Sequence, residues 1–190
     1  MTMKTTMKTL LLLSIVLVGT AFTINPIERK EIKEGAITWT GTKILGSHTG
    51  TIDLKNGYLE MDGDNLTGGM FEVDMTSIKN TDLDGDSAGN LEGHLKSKDF
   101  FNVAEFPTAT LKVKSAVKKG NVYNVKGDFT IKGITETVNF EIAMGETGAR
   151  ATVVIDRTKY GIRYGSGDFF DDLGDKSISN NFDLDVVMKF

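Results

Sequence analysis

The sequence predicts an all-β domain, an antiparallel barrel or sandwich of about eight strands, and three observations carry that prediction. Apolar and polar residues alternate over long stretches. The chain has 21 glycines against 2 prolines. No stretch beyond the first residues repeats apolar positions over several helical turns. A strand points successive side chains to opposite faces, so alternation produces one buried and one wet face. Few prolines and many glycines suit long strands joined by tight turns. A barrel is favoured because closure leaves no exposed edge. A barrel of about eight strands encloses a space that side chains just fill, or that holds one small ligand, and alternation does not choose between these.

Taken in chain order, residues 1–21 belong outside the fold. Lys4 and Lys8 precede an apolar run from Leu10 to Val18, and Gly19 and Ala21 follow at −3 and −1 spacing. That is the pattern of a secretory signal peptide, with an apolar run short of the ~20 residues that a membrane span needs. Residues 22–190 are then one exported domain, periplasmic or otherwise secreted, and not an integral membrane protein after cleavage. The chain has no cysteine, which removes lipid attachment, disulfides and thiolate metal sites. Its net charge is −4, and loss of the two leader lysines makes it more acidic. With no basic cluster, nucleic acid is excluded as a partner. A homodimer remains open.

Phe22–Glu34 reads as a charged lead-in. Strands follow near Ala36–Thr42, Thr49–Leu54, Gly57–Met61 and Gly68–Met75, with "KNG" (Lys55–Gly57) and "DGDN" (Asp62–Asn65) as turns. Asn90 is placed to cap a short helical segment over 90–98, where Leu91 and Leu95 share a face. Phe106 precedes Pro107 and must be extended, so the helix has ended by then. Ala109, Leu111 and Val113 face one way in the next strand, and Tyr123, Val125, Phe129 and Ile131 in the one after "KKGN". Gly133 turns the chain into a strand with Val138, Phe140, Ile142 and Met144 on one face. Ala151–Asp156 follows, and the last strand aligns Phe182, Leu184, Val186, Met188 and Phe190. One stretch breaks the alternation: "GHLKSKDFFNVAEFPTAT" (Gly93–Thr110) gathers Phe100, Phe101 and Phe106. An aromatic loop of this kind needs cover, which the open end of a barrel supplies.

Several pieces together resemble the YceI-like family of secreted lipid-binding proteins: "ITWTGTKILGSHTGTIDLKNGYLE", "GGMFEVDMTSIKNTD", "GHLKSKDFFNVAEFPTATL", "VKGDFTIKGITETVNF" and "IDRTKYGIRYGSG". The resemblance implies a lipocalin-like barrel whose interior tunnel takes an amphipathic ligand with an isoprenoid tail, in the periplasm, without catalysis or a cofactor. It carries no fixed catalytic signature to transfer, so candidates come from the pattern: Trp39, Phe71, Phe129, Phe140 and Phe182 from strands, and Phe100, Phe101 and Phe106 from the loop. Phe169 and Phe170 are candidates for a second aromatic patch near the mouth.

The polar candidates each have a functional and a structural reading. His48 in "GSHTG" and His94 in "GHLKS" could contact a head group, or could lock turns by bonding backbone or a neighbouring acid. No metal-ligand spacing accompanies them. Asp156 and Arg157, followed by Tyr160, Arg163 and Tyr164, read as a structural ion pair closing the barrel end, or as a charged mouth. "NTDLDGD" starts like a calcium loop but has Leu91 where the final glutamate belongs, so it reads as a solvated acidic loop, as does "DFFDDLGD". No nucleophile elbow or phosphate-binding loop occurs. The alternatives to a lipid carrier are a filled barrel with a structural or stress role, and a hydrolase-type enzyme that pairs His48 or His94 with an aspartate.

Overall fold

The computed structural model describes residues 26–190; the expected signal peptide lies outside them. The strands are β1 (Glu28–Glu31), β2 (Glu34–Lys43), β3 (Gly46–Asp62), β4 (Asn65–Asn80), β5 (Thr108–Lys119), β6 (Val122–Ile131), β7 (Ile134–Met144), β8 (Gly148–Asp156) and β9 (Ile178–Lys189), with one helix, α1 (Gly85–Lys96), between β4 and β5. Each strand from β2 to β9 pairs antiparallel with the next, and β9 pairs back onto β2. This closes an eight-stranded barrel with no free edge, as expected. β1 runs along the far half of β3 in the register that β2 keeps along the near half, with Glu31 opposite Tyr58 and Ala36 opposite Asp53. It is therefore a continuation of β2's line rather than a separate stave.

Two expectations are corrected. The "KNG" segment is a β-bulge inside the single strand β3, where the pairing with β4 slips between Leu54 and Asn56. Ile52 and Leu54 point inward before it, and Leu59 and Met61 after it. An extra residue moves the inward set from even to odd positions, so two out-of-phase apolar patterns share one core. Second, α1 starts at Gly85, and Asn90 lies inside it rather than at its cap. Its Gly85 and Gly89 each lower helix propensity, which hid its first half. The turns fit their sequences better. Lys132 and Gly133 both have positive φ, as a two-residue type I′ hairpin demands, and Gly63 and Gly120 have positive φ in their own turns.

The barrel has two ends. The turn after β2, α1, the β6–β7 turn and the β8–β9 loop gather at one, here called the helix end. The far end is packed solid by Leu59, Met61, Leu66, Tyr123, Val125 and Ala149, none more than 4 % exposed. Tyr123 donates its hydroxyl to the Asp64 carbonyl at 2.6 Å, which lets a polar tip sit in that plug.

Beside the β8 end, Tyr160 is 1 % exposed and its hydroxyl has no hydrogen-bond partner. Burial, with Glu136 and Asp156 nearby, pushes it up to about 12. A buried hydroxyl without a partner carries an uncompensated desolvation penalty of about 1–3 kcal/mol. Tyr160→Phe is therefore expected to match or exceed the parent in unfolding free energy, measured by urea titration; a loss above about 1 kcal/mol would mean the hydroxyl does find a partner.

Candidate functional site

The half of the barrel toward the helix end is hollow. Its cavity has a volume of about 530 Å³, within the range of sites that hold one small ligand. The walls are apolar: Ile52, Leu54, Phe71 and Val73 from β3 and β4, Phe129, Phe140 and Ile142 from β6 and β7, and Leu184 and Val186 from β9. Burial explains where the space lies. Inward residues of β6 are fully buried, whereas Trp39 on β2 and Phe182, Leu184 and Val186 on β9 point inward yet stay half-exposed. A solid core would bury them, so the void lies against β2 and β9.

Close backbone approach makes room for the aromatic wall. Gly50 sits opposite Trp39, and a Cβ there would lie 1.9 Å from the Lys79 carbonyl oxygen and 2.4 Å from the indole. Gly57 sits opposite Phe71 in the same way, and a Cβ there would lie 2.5 Å from the ring. Only glycine lets these rings lie down across the neighbouring strand.

Nine of the ten candidate residues line this one cavity: Trp39, Phe71, Phe129, Phe140 and Phe182 from strands, Phe100 and Phe101 from the loop, and both His48 and His94. Phe106 does not. Its ring lies on Gly133 of the β6–β7 turn, because the extended backbone before Pro107 carries it past the opening. Phe169 and Phe170 are exposed on the β8–β9 loop and outside the lining; Arg163 stacks over Phe169 at 4.6 Å.

The aromatic stretch closes the helix end as an edge-to-face relay. Phe101 meets Phe182 with centroids 6.1 Å apart, Phe100 meets Phe101 at 5.5 Å, and His94 meets Phe100 at 5.5 Å and Tyr164 at 4.4 Å. Such contacts add about 0.5–1.5 kcal/mol each beyond burial. The loop is held by its own backbone: the Phe100 and Asn102 amides donate to the Ser97 carbonyl, and the Met75 amide to that of Pro107.

His48 takes the structural option. Its Nδ1 lies 2.9 Å from Asp82, whose other oxygen accepts from the Thr49 amide and from Asn80. Burial pushes the Asp82 carboxyl up, but the bonds from His48, Thr49 and Asn80 outweigh it and hold the group down at about 2. Because that lies below the ordinary 3.8, the ionised form favours the folded state above about pH 4, and this contribution is lost as pH falls toward 2. Asp82→Asn is expected to lower stability at pH 7 and to flatten that part of the acid limb, read by denaturant titrations from pH 5 to 2.

The predicted Asp156–Arg157 ion pair does not form. Asp156 accepts from the Thr158 amide and hydroxyl, capping the 3-10 turn Arg157–Tyr160. Arg157, 1 % exposed, donates instead to three carbonyls: Ser179 at 2.9 Å, Ile162 at 2.9 Å and Ile178 at 3.0 Å. Burial lowers its pKa from the ordinary value, though a guanidinium stays charged in any protein. Arg157 is also part of the cavity lining, with its guanidinium carbon 5.5 Å from the Phe100 ring. Sequence reasoning placed it at the barrel end but not in this wall, since its carbonyl partners are irregular backbone with no residue-type signature.

Among the described residues there is no cluster of three potential metal ligands and no helix long and apolar enough to cross a membrane. The comparisons with known proteins agree with the fold. The YceI-like domain family matches residues 23–190. Protein YceI of Escherichia coli O157:H7 is 32 % identical over 113 residues, 57 % of each chain, and a UPF0312 protein of Staphylococcus aureus is 37 % identical over 84 residues, 38 % of this chain and 47 % of that one. The chain thus spans about half the length of these relatives. Among solved structures, Burkholderia cenocepacia BcnA superposes with a TM-score of 0.64 at 18 % identity, covering 81 % of this chain and 94 % of that one. A polyisoprenoid binding domain from Saccharophagus degradans gives 0.58 at 14 % identity, covering 86 % and 97 %. With the family match spanning the whole described barrel, the chain belongs to the YceI-like family.

Proposed function

We propose that the protein is an exported binding protein that holds an amphipathic isoprenoid or similar lipid, with its tail in the hollow half of the barrel and its head at the helix end. Residues 1–21 act as the signal peptide in this reading, and the mature domain works in the periplasm or outside the cell. The observation that carries it is the apolar cavity of about 530 Å³ in a barrel packed solid at its other end. An empty apolar space of that size costs stability unless something fills it, and each tail CH₂ moved there from water gains ~0.8 kcal/mol. The polyisoprenoid-binding description of the Saccharophagus degradans neighbour supports the same ligand class.

The test is native mass spectrometry of the protein purified from its own host without detergent. The expected result is an added mass that denaturation releases as a lipid. A bare mass, with no uptake of an added isoprenoid quinone, would overturn the reading and favour a structural role.

A lipid hydrolase is the second reading, since His48 and His94 line one cavity and His48 pairs with Asp82. Against it, neither imidazole has a hydroxyl among its hydrogen-bond partners, so no nucleophile is held for activation. Release of free fatty acid or prenyl alcohol from a bound ester would decide for the enzyme.

A further inference from the structure

The charged groups of the cavity wall are all at one end and mostly of one sign. Lys43, Arg157 and Lys176 line it, with Asp175 as the single carboxylate, while its deep part is apolar. This stands out in a chain whose net charge is −4. Neither lysine belongs to an ion pair among the described residues. No carboxylate bonds Arg157 either: Asp156 is turned to Thr158, and its charge acts on the guanidinium only through space. Its three bonds to carbonyls use three of its five N–H groups. Carbonyl dipoles stabilise a buried cation in part, but a buried charge is normally matched by an opposite one. The remaining carboxylates near the opening do not supply it. Asp82 is bound by His48 and Thr49, Asp168 accepts from Asn180, and Asp171 and Asp172 are exposed outside the lining.

We infer that the cavity selects lipids with an anionic head, a carboxylate or a phosphate, held at the helix end in the field of Arg157 with Lys43 and Lys176 at the rim. This rests on the lipid-holding reading above and adds the chemistry of the head group. An anion there would complete the charge balance of Arg157, while the tail runs toward Ile142 and Met188 at the cavity's deep end. A neutral head gains the same apolar contacts and none of the charge-assisted ones.

The test is a displacement titration with a fluorescent lipid, using pairs that differ only at the head: myristate against myristyl alcohol, and farnesyl monophosphate against farnesol. Each anion is expected to bind about tenfold or more tightly than its alcohol. Whichever anion shows the larger advantage identifies the head as carboxylate or phosphate. The double variant Lys43→Gln, Lys176→Gln sits at the exposed rim and should fold; it is expected to cut the anion advantage, the affinity ratio within each pair, severalfold. Equal affinity within both pairs overturns the head-group inference alone, and an anion advantage untouched in the double variant overturns the part assigned to Lys43 and Lys176. Failure of all four compounds to bind overturns the lipid-holding reading instead.

Discussion

Replacing Ala109 and Ala151 together by phenylalanine is expected to weaken lipid uptake about 100-fold while the melting temperature stays within a few degrees. Both alanines line the cavity, Ala109 from β5 and Ala151 from β8. Two benzyl groups entering the 530 Å³ space would displace roughly four tail methylenes, at ~0.8 kcal/mol each. The resulting ~3 kcal/mol corresponds to about two decades of affinity. The fold should tolerate the change because the rings enter a void rather than a packed core, where overpacking costs about 1–3 kcal/mol. Fluorescent-lipid titration and a thermal melt on the same sample read both quantities. Unchanged affinity in the folded variant would place the ligand outside the barrel.

Arg157→Leu is expected to remove several kcal/mol of stability, about 3–5 by urea denaturation. Leucine fills part of the space but leaves the carbonyls of Ile162, Ile178 and Ser179 without donors, at about 1–3 kcal/mol for each buried orphan and with incomplete additivity. The guanidinium ties the end of β8 to the start of β9 across the long loop between them. Hydrogen exchange should therefore speed up first in residues 161–177, before the barrel strands. Arg157→Lys should recover only part of the loss, since an ammonium cannot reproduce the planar fork. A drop below about 1 kcal/mol would show that the loop is held by other contacts, such as the Ser166 hydroxyl on Asn180.

The sequence made the staves of the barrel legible because half-buried strands write their burial in period two. β7 and β9 show this well: Phe140 and Ile142, and Phe182, Leu184 and Val186, face inward as their alternation requires. It was less legible where the period shifts. At Lys55–Gly57 a bulge and a turn have the same residues, and only the partner strand decides between them. The glycines of α1 masked its start for a similar reason, since local propensity opposed a helix that packing onto β4 sustains. For the site, the aromatic types were visible and so was their inward direction, but not their level along the barrel axis. Leu59 and Phe140 follow the same rule of alternation, yet one lies in the plug and the other on the cavity wall. Phe106 was misplaced, and the partners of Arg157 were missed, because their surroundings are loop backbone, which leaves no periodic trace.

The plug at the far end also governs traffic. A passage open at both ends could be filled from one side and emptied from the other, whereas among the described residues this chamber is plugged at the far end and reached from the helix end. In the lipid-holding reading proposed above, a guest would slide in tail first and back out by the same route, head leading. Exchange kinetics then depend on how readily α1 and the Phe100–Phe101 wall step aside, and tail length should alter residence time far more than the rate of capture. In that reading loading and unloading are one gate run in two directions, so a donor and an acceptor of the lipid would approach the same face of the molecule.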